Sequence, residues 1–254
     1  MADLDTAVIL AAGRGARMKA AGTERPKGFL RLGSMPIVEE SVVRLAESGV
    51  RRIVIVTGFL STFYGELAGR YPGLVTLVHN PLFAESGSMY SLSLARSRVG
   101  DGFLLLESDL VYEKRALGEI RKEPSSDAIL VSEPTGAGDE VHVEASPEGL
   151  LVALSKDRSR LGPNVVGELV GISKLSPSGF EAMLSHADHT FLSTLHLDYE
   201  GALVAASPSV PVRCRVVSDL AWSEIDDEKH LSRAQREIYP AIVSRDGAGP
   251  GGNA

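Results

Sequence analysis

Two glycines and three cations near the N-terminus have the types and spacing to hold a polyphosphate. Residues 10–18 read LAAGRGARM, and Pro26-Lys27 follows. Gly13 and Gly15 lack a Cβ, so the backbone there can approach a polyanion closely and aim N–H groups at it. Arg14, Arg17 and Lys27 add formal positive charge. A plain glycine turn with solvated basic residues would share these features. Two common phosphate loops do not fit. A dinucleotide fingerprint wants a third small residue where this chain has Met18, and an acid after the second strand where it has Thr57 and Gly58. A Walker A loop needs Gly-Lys-Ser/Thr, which is absent.

Acidic residues supply the second chemistry. Mg²⁺ prefers oxygen ligands, often one or two carboxylates plus substrate phosphates. Asp109 ends the run LLLESD and would project from the edge of a sheet, although it reads equally as a helix N-cap for the segment after Val111. A second acidic group lies at residues 222–227, WSEIDD. Within it Asp227 sits where an N-cap is expected before the closing helix, and Glu224 reads as a surface or capping residue.

These residues need elements to position them. Residues 6–12, 52–57, 74–79 and 102–107 are short apolar runs of the kind that form buried strands. Residues 36–48, 61–69 and 88–97 carry helical patterns between them, with Pro36 and Gly49 as start and stop signals. The alternation predicts an α/β fold, a three-layer α/β/α arrangement with a mostly parallel sheet covered on both faces. Ligands of such sheets bind at the carboxyl ends of the strands. The glycine loop, residues 80–88 and the Glu107-Ser108-Asp109 turn all fall there. The second half is less regular: strands over 128–132, 141–145, 150–155, 165–173 and 211–217, helices over 176–185 and 227–238. No repeat or linker divides the chain, so residues 1–240 are expected to form one domain. The Gly-rich end within residues 241–254 is expected to be a disordered tail.

The composition narrows the partners. The 254 residues carry a net charge of -7, against a basic nucleic-acid surface but compatible with one basic site for a nucleotide. Cys214 is the only cysteine, compatible with a reducing cytosol. Met1 to Thr6 lacks the basic region of a signal peptide, and no apolar run nears the roughly 18 residues that span a bilayer. The expectation is a cytoplasmic protein without a membrane partner; nothing excludes a homo-oligomer. His186, His189 and His196 lack the HExxH zinc pattern, and there is no GxSxG elbow.

LAAGRGARM with its downstream Pro-Lys resembles the signature of the sugar-nucleotidyltransferase superfamily, whose members activate sugar phosphates and small phosphorylated alcohols. ESD in the middle, WSEIDD near the C-terminus, NPLFAESGSMYSLSLA at 80–95 and GELVGISKL at 167–175 look like its cytidylyltransferase branch. Taken together these stretches resemble phosphonate cytidylyltransferases of the 2-aminoethylphosphonate type, near the bacterial choline-phosphate enzymes. It implies a Rossmann-like nucleotidyltransferase fold, CTP as donor, Mg²⁺ as cofactor, and a small phosphonate or phosphorylated alcohol as acceptor. It further implies that the loop wraps the triphosphate, that Arg17 and Lys27 neutralise it, and that Asp109 and Asp226 hold the metal between them. Lys156, at the end of LVALSKD, resembles a lysine reaching the α-phosphate or the acceptor; a solvated strand-end lysine is the alternative.

Leu10, Ala11 and Ala12, with the turn Ser86-Gly87-Ser88, offer small residues and backbone groups to the edge of cytosine. Glu168 is a candidate for a substrate ammonium group, or an exposed strand residue. A quaternary ammonium is usually held by aromatic faces, and aromatics are 6% of this chain with Trp222 its sole tryptophan. That favours an amino- or hydroxyethylphosphonate over phosphocholine; a sugar 1-phosphate is a further alternative. A nucleotide-sugar glycosyltransferase would want a DxD pair, which Glu107-Ser108-Asp109 approximates. A non-catalytic nucleotide-binding domain would keep the loop and release no pyrophosphate.

Overall fold

The computed structural model describes residues 4–15, 18 and 24–247. Four parallel strands form its centre: β1 (Thr6–Ala11), β2 (Arg52–Thr57), β3 (Val75–His79) and β4 (Phe103–Glu107). They lie in the order β3-β2-β1-β4. On the far side of β4 the long strand β9 (Val165–Leu175) runs antiparallel, then β6 (Ala128–Ser132) and β10 (Arg213–Val216). A hairpin of β7 (His142–Ala145) and β8 (Leu151–Ser155) joins through β7 to β9. The nine-stranded sheet is thus mixed, with a mainly parallel centre.

Side-chain alternation sorts the two faces. Val8, Leu10, Val54, Val56, Phe103 and Leu105 point to one side. There they meet α3 (Ser88–Leu94), α5 (Pro177–Phe191) and α6 (Tyr199–Ala206). Ala7, Ile9, Ile53, Ile55, Leu104 and Leu106 point to the other. That face carries α1 (Ile37–Glu47), α2 (Ser61–Arg70) and α4 (Arg115–Lys122). Apolar residues on both faces of the central strands are what a sheet covered twice requires. The expected three-layer α/β/α architecture is the one observed. Among the described residues no helix is long and apolar enough to cross a membrane.

Two short strands depart from expectation. β5 (Leu110–Tyr112) and β11 (Trp222–Glu224) pair antiparallel, with Glu224 opposite Leu110. Three-residue strands carry too little periodicity to be read from sequence. This pair carries the first acidic segment to the second across more than a hundred residues. α4 and α6 are likewise additions to the expected helices.

The closing helix also differs from expectation. α7 (Glu228–Arg233) runs through a π-turn over Ala234–Ile238 into α8 (Tyr239–Gly247). A tail beginning at residue 241 is therefore corrected. Ile242 is buried with Met18, Leu30 and Ile225, and Asp246 pairs with Arg44 and accepts the Lys114 N–H at 2.8 Å. The apolar contact and the ion pair outweigh the glycine-rich composition just beyond them. Residues 248–254 lie outside the described residues.

Candidate active site

The carboxyl ends of β1, β3 and β4 open into a cleft of about 380 Å³. Leu10, Ala11, Ala12, Gly13 and Gly15 line it from the β1 loop, and Ser86, Gly87 and Ser88 from the turn before α3. Lys27, Asp109 and Lys156 line it as well. Most of the residues singled out from sequence are thereby brought together. Arg17 lies outside the described residues. Arg14 is exposed and stacks over Phe83, its guanidinium carbon 5.5 Å from the ring centroid. Phe83 lines the cleft, so Arg14 contributes to its wall through that ring.

Gly15 is required sterically. Its φ is +61°, and a Cβ there would lie 2.8 Å from Lys27 Cγ. The Lys27 stem crosses this glycine and carries its ammonium to 3.2 Å from Asp109 Oδ2 and into hydrogen-bond contact with Asp226 Oδ1. Burial opposes charge on Lys27, yet the two carboxylates outweigh it and hold the ammonium above its ordinary value. Gly87 is similarly constrained: a Cβ would collide with the Leu197 carbonyl.

The structure separates the acids of the two motifs. Asp109 is followed by β5 and caps no helix; Lys114 stands at the N-cap of α4. Asp227 is the N-cap of α7, accepting the Lys229 and His230 N–H groups at 2.8 and 2.9 Å. Asp226 is turned the other way, toward Lys27, and is 1% exposed. His230 Nδ1 accepts the Asp226 N–H at 3.4 Å, and its Nε2 lies 3.5 Å from Asp139 Oδ1.

Carboxylates that sequence reasoning did not place complete the cleft. Glu107, Asp109 and Glu224 have oxygens within 4.8 Å of one another. Glu107 is held well above the usual carboxylate range by burial, then by Glu224, Glu200 and Asp109. Burial and the charges of Asp109 and Asp226 push Glu224 up to about 8. Glu200, at the start of α6, is raised to about 7 by burial and Asp198. Glu107 belongs to the Glu107-Ser108-Asp109 turn expected at this edge, and its alternation along β4 sets it on the face of Phe103 and Leu105. No local signal marked Glu200.

Such an oxygen-only set suits a hard divalent cation. Lys27 Nζ already occupies a cation position between Asp109 and Asp226, so the residues present fit Mg²⁺, with Glu224 beside them.

Glu168 and Lys174 settle elsewhere. Glu168 lines a small adjoining pocket with Thr135, Asp139 and His230 rather than the cleft itself. Its carboxylate accepts the Thr135 N–H at 2.6 Å and hydroxyl at 3.3 Å, and burial raises it to about 7. Lys174 is buried and donates to the Glu123 carbonyl at 2.8 Å, a structural role. In the Ser86–Ser88 turn, Ser86 Oγ donates to Leu82 O at 2.8 Å, the Gly87 N–H donates to Leu195 O at 2.8 Å, and Ser88 Oγ accepts the Tyr199 N–H at 2.8 Å.

Fold and site together place a glycine loop and Lys27 opposite a group of carboxylates at the carboxyl edge of a mainly parallel sheet. The chain belongs to the MobA-like NTP transferase domain family, whose model matches residues 7–171. It is 30% identical to a CMP-5'-(3-aminopropyl)phosphonate synthase of Streptomyces rubellomurinus over 92% of its length, spanning 39% of that protein. It is 26% identical to a 2-aminoethylphosphonate cytidylyltransferase of Lancefieldella rimae, covering 77% of this chain and 76% of the other. A choline-phosphate cytidylyltransferase of Streptococcus pneumoniae is 30% identical over 42% of the chain and 46% of its own length. Among solved structures, an inositol-1-phosphate CTP transferase from T. maritima superposes with a TM-score of 0.79 at 21% identity, covering 97% of both chains, which shows a shared fold.

Proposed function

We propose that this chain is a Mg²⁺-dependent cytidylyltransferase that transfers CMP from CTP to a small phosphonate and releases pyrophosphate. The observation that carries the reading is Lys27. It crosses the phosphate loop at Gly15 and ends between Asp109 and Asp226. The triphosphate cradle and the acidic cation site are therefore one structure. A glycosyltransferase, which handles a diphosphate, has no need of such a loop. The names of the Streptomyces and Lancefieldella relatives support the base and the acceptor class.

The residues do the following. Backbone N–H groups of the Gly13–Gly15 loop, with Arg17 and Lys27, hold the β- and γ-phosphates and stabilise the departing pyrophosphate. Leu10, Ala11, Ala12 and the Ser86–Ser88 turn enclose the nucleoside. Lys156, exposed at the end of β8 and lining the cleft, draws the acceptor's phosphonate toward the α-phosphorus. Asp109 and Asp226 would hold Mg²⁺, with Glu224 adjacent. Bound there, the ion supplies charge neutralisation at the α-phosphate and the incoming oxygen. A phosphonate oxygen is anionic at neutral pH, so attack needs no general base. One P–O bond forms at the α-phosphorus as the bond to the β-phosphate oxygen breaks, and catalysis rests on positioning and charge.

Phosphocholine is the second reading for the acceptor, and Trp222 speaks against it. That ring is 4% exposed and belongs to the core, where it cannot form a cage wall. The test is pyrophosphate release with Mg²⁺, each of the nucleoside triphosphates, and a panel of phosphonates, phosphocholine and sugar 1-phosphates. CTP with a phosphonate should give the highest rate. Preference for phosphocholine refutes the acceptor; no release with any pair refutes the enzyme.

A further inference from the structure

Asp226 lies in the short junction between β11 and α7, immediately before an N-cap that turns the opposite way. A carboxylate held only by its own backbone would sample several rotamers there, whereas Mg²⁺ demands near-ideal geometry. The backbone of this junction is pinned at two successive residues. The Ile225 N–H donates to the Asp109 carbonyl at 3.1 Å, and the Asp226 N–H donates to His230 Nδ1 at 3.4 Å. The first bond ties the two metal candidates to one another. The second brings in a side chain that the proposed chemistry does not use.

The place of His230 follows from the helix. Asp227 caps α7 through the backbone N–H groups of Lys229 and His230, so the cap does not need the imidazole. The ring turns back over the junction instead and is buried. With Nδ1 accepting, the hydrogen sits on Nε2, which faces Asp139 Oδ1 at 3.5 Å. The Asp139 carboxyl in turn shares a hydrogen bond with that of Asp226. Asp226, His230 and Asp139 thus close a ring of contacts, although Asp139 comes from the connection between β6 and β7. His230 and Asp139 line the small adjoining pocket, whereas Lys27 and Asp109 line the cleft, and Glu224 belongs to both. The pair therefore stands behind the metal carboxylates, away from the substrates.

We propose that His230, braced by Asp139, is a positioning residue that sets Asp226 for the cation. This rests on the reading in which Asp226 holds Mg²⁺. Ligating carboxylates are themselves held by hydrogen bonds, and loss of such support costs about 10–100-fold in metal affinity. The three residues have ligand atoms within 4.8 Å of one another. For His230 to ligate through Nε2, however, that atom would have to give up its hydrogen while Nδ1 accepts one. The trio accordingly serves the neighbouring ion rather than one of its own.

The experiment titrates Mn²⁺ into the full chain with a non-hydrolysable CTP analogue, reads bound ion from water-proton relaxation, and measures kcat at saturating Mg²⁺ alongside. His230→Leu removes both ring contacts and should weaken Mn²⁺ binding about 10–100-fold. Asp139→Ala removes the brace alone and should weaken it by a smaller factor. His230→Asn puts an acceptor where Nδ1 stood and should recover most of the affinity lost in His230→Leu. In all three, kcat at saturating Mg²⁺ should fall by far less than the affinity, with the KM of the acceptor within about twofold of the wild type. Circular dichroism reports folding, and Asp139→Ala decides should His230→Leu not fold. Wild-type Mn²⁺ affinity in either of these two variants overturns the proposal. So does a loss that His230→Asn fails to recover, or one shared equally by kcat and the KM of the acceptor, since the ring would then serve the fold as a whole. A wild type that binds no Mn²⁺, or an Asp226→Ala variant that binds it as tightly, overturns the metal reading and this inference with it.

Discussion

At one end of the cleft, a triphosphate would meet the backbone of Gly13 and Gly15 and the Lys27 ammonium. At the other, the groups are carboxylates of Glu107, Glu200 and Glu224, brought from β4, α6 and β11. The first end is local: one loop and one lysine, with partial charges the backbone supplies at little cost. The second is assembled by topology, and each of its acids is held above its ordinary pKa by burial and like charge. The loop end is compatible with stability, while the acidic end opposes it, a cost that bound cations would offset. Lys27 spans the two, and variants along that line separate them.

The largest effect is expected where the ends meet. Asp109→Ala and Asp226→Ala should each reduce kcat by about 10³-fold or more, by analogy with the loss of a group that stabilises developing charge. Circular dichroism should stay native, because Asp109 holds its neighbour through its backbone, the Ile225 N–H donating to its carbonyl at 3.1 Å. Near-normal turnover in either variant would refute its place at the metal.

Lys27→Met tests the link itself. Loss of contact with the triphosphate should cost roughly 10²-fold in kcat/KM. It also leaves Asp109 and Asp226 without their shared cation, which should lower stability by about 1–3 kcal/mol in metal-free buffer. Millimolar Mg²⁺ should restore much of that loss and raise the melting temperature of the variant more than that of the wild type. Equal shifts would mean that Lys27 and the metal do not compete for one position.

Gly15→Ala is expected to act more mildly. The added Cβ must adopt a φ of +61° and displace the Lys27 stem. A residue other than glycine in that region costs about 1–2 kcal/mol. CTP affinity should fall roughly tenfold, with the selectivity between acceptors unchanged. A shift in acceptor selectivity would show that the two ends are not independent.

The same division governs what could be read from the chain. The four parallel strands and their helices follow from apolar runs and glycine stops, so the loop, Lys27 and Asp109 could be set at one sheet edge. Asp226 was distinguished from Asp227 by motif resemblance, and the cap geometry of Asp227 supplies the physical reason. Glu107 was legible as part of the Glu107-Ser108-Asp109 turn but not as a neighbour of Glu200, and Glu200 was not legible. Bringing them together depends on β9 returning antiparallel beside β4 and on α6 packing against β8, pairings that no local pattern encodes. Glu168 shows the converse: its place in a specific-looking motif suggested a ligand, whereas the Thr135 contacts give it a local partner.

The smallest effect is one of pH on stability. Glu168 and Glu200 are each held up to about 7, against an ordinary carboxyl near 4.5. In that interval the folded state binds more protons than the unfolded one, so their contribution is complete below about pH 4.5. It is lost as pH rises through 7. The groups with lowered values in the described residues, such as Asp5, Asp219 and Asp227, have the opposite sign but act at lower pH. Without metal or nucleotide the melting temperature should therefore fall between pH 5.5 and 8. A tenfold difference in proton affinity between folded and unfolded chain is worth about 1.4 kcal/mol, and about 2–4 °C accompany each kcal/mol at this size. Glu107 and Glu224 are raised as well and act in the same direction; Glu200→Gln removes one of these groups and should reduce the slope, whereas Gly15→Ala, at the other end of the cleft, should leave it as it is. A melting temperature that is flat or rises over this range would show that the acidic end is already compensated within the chain.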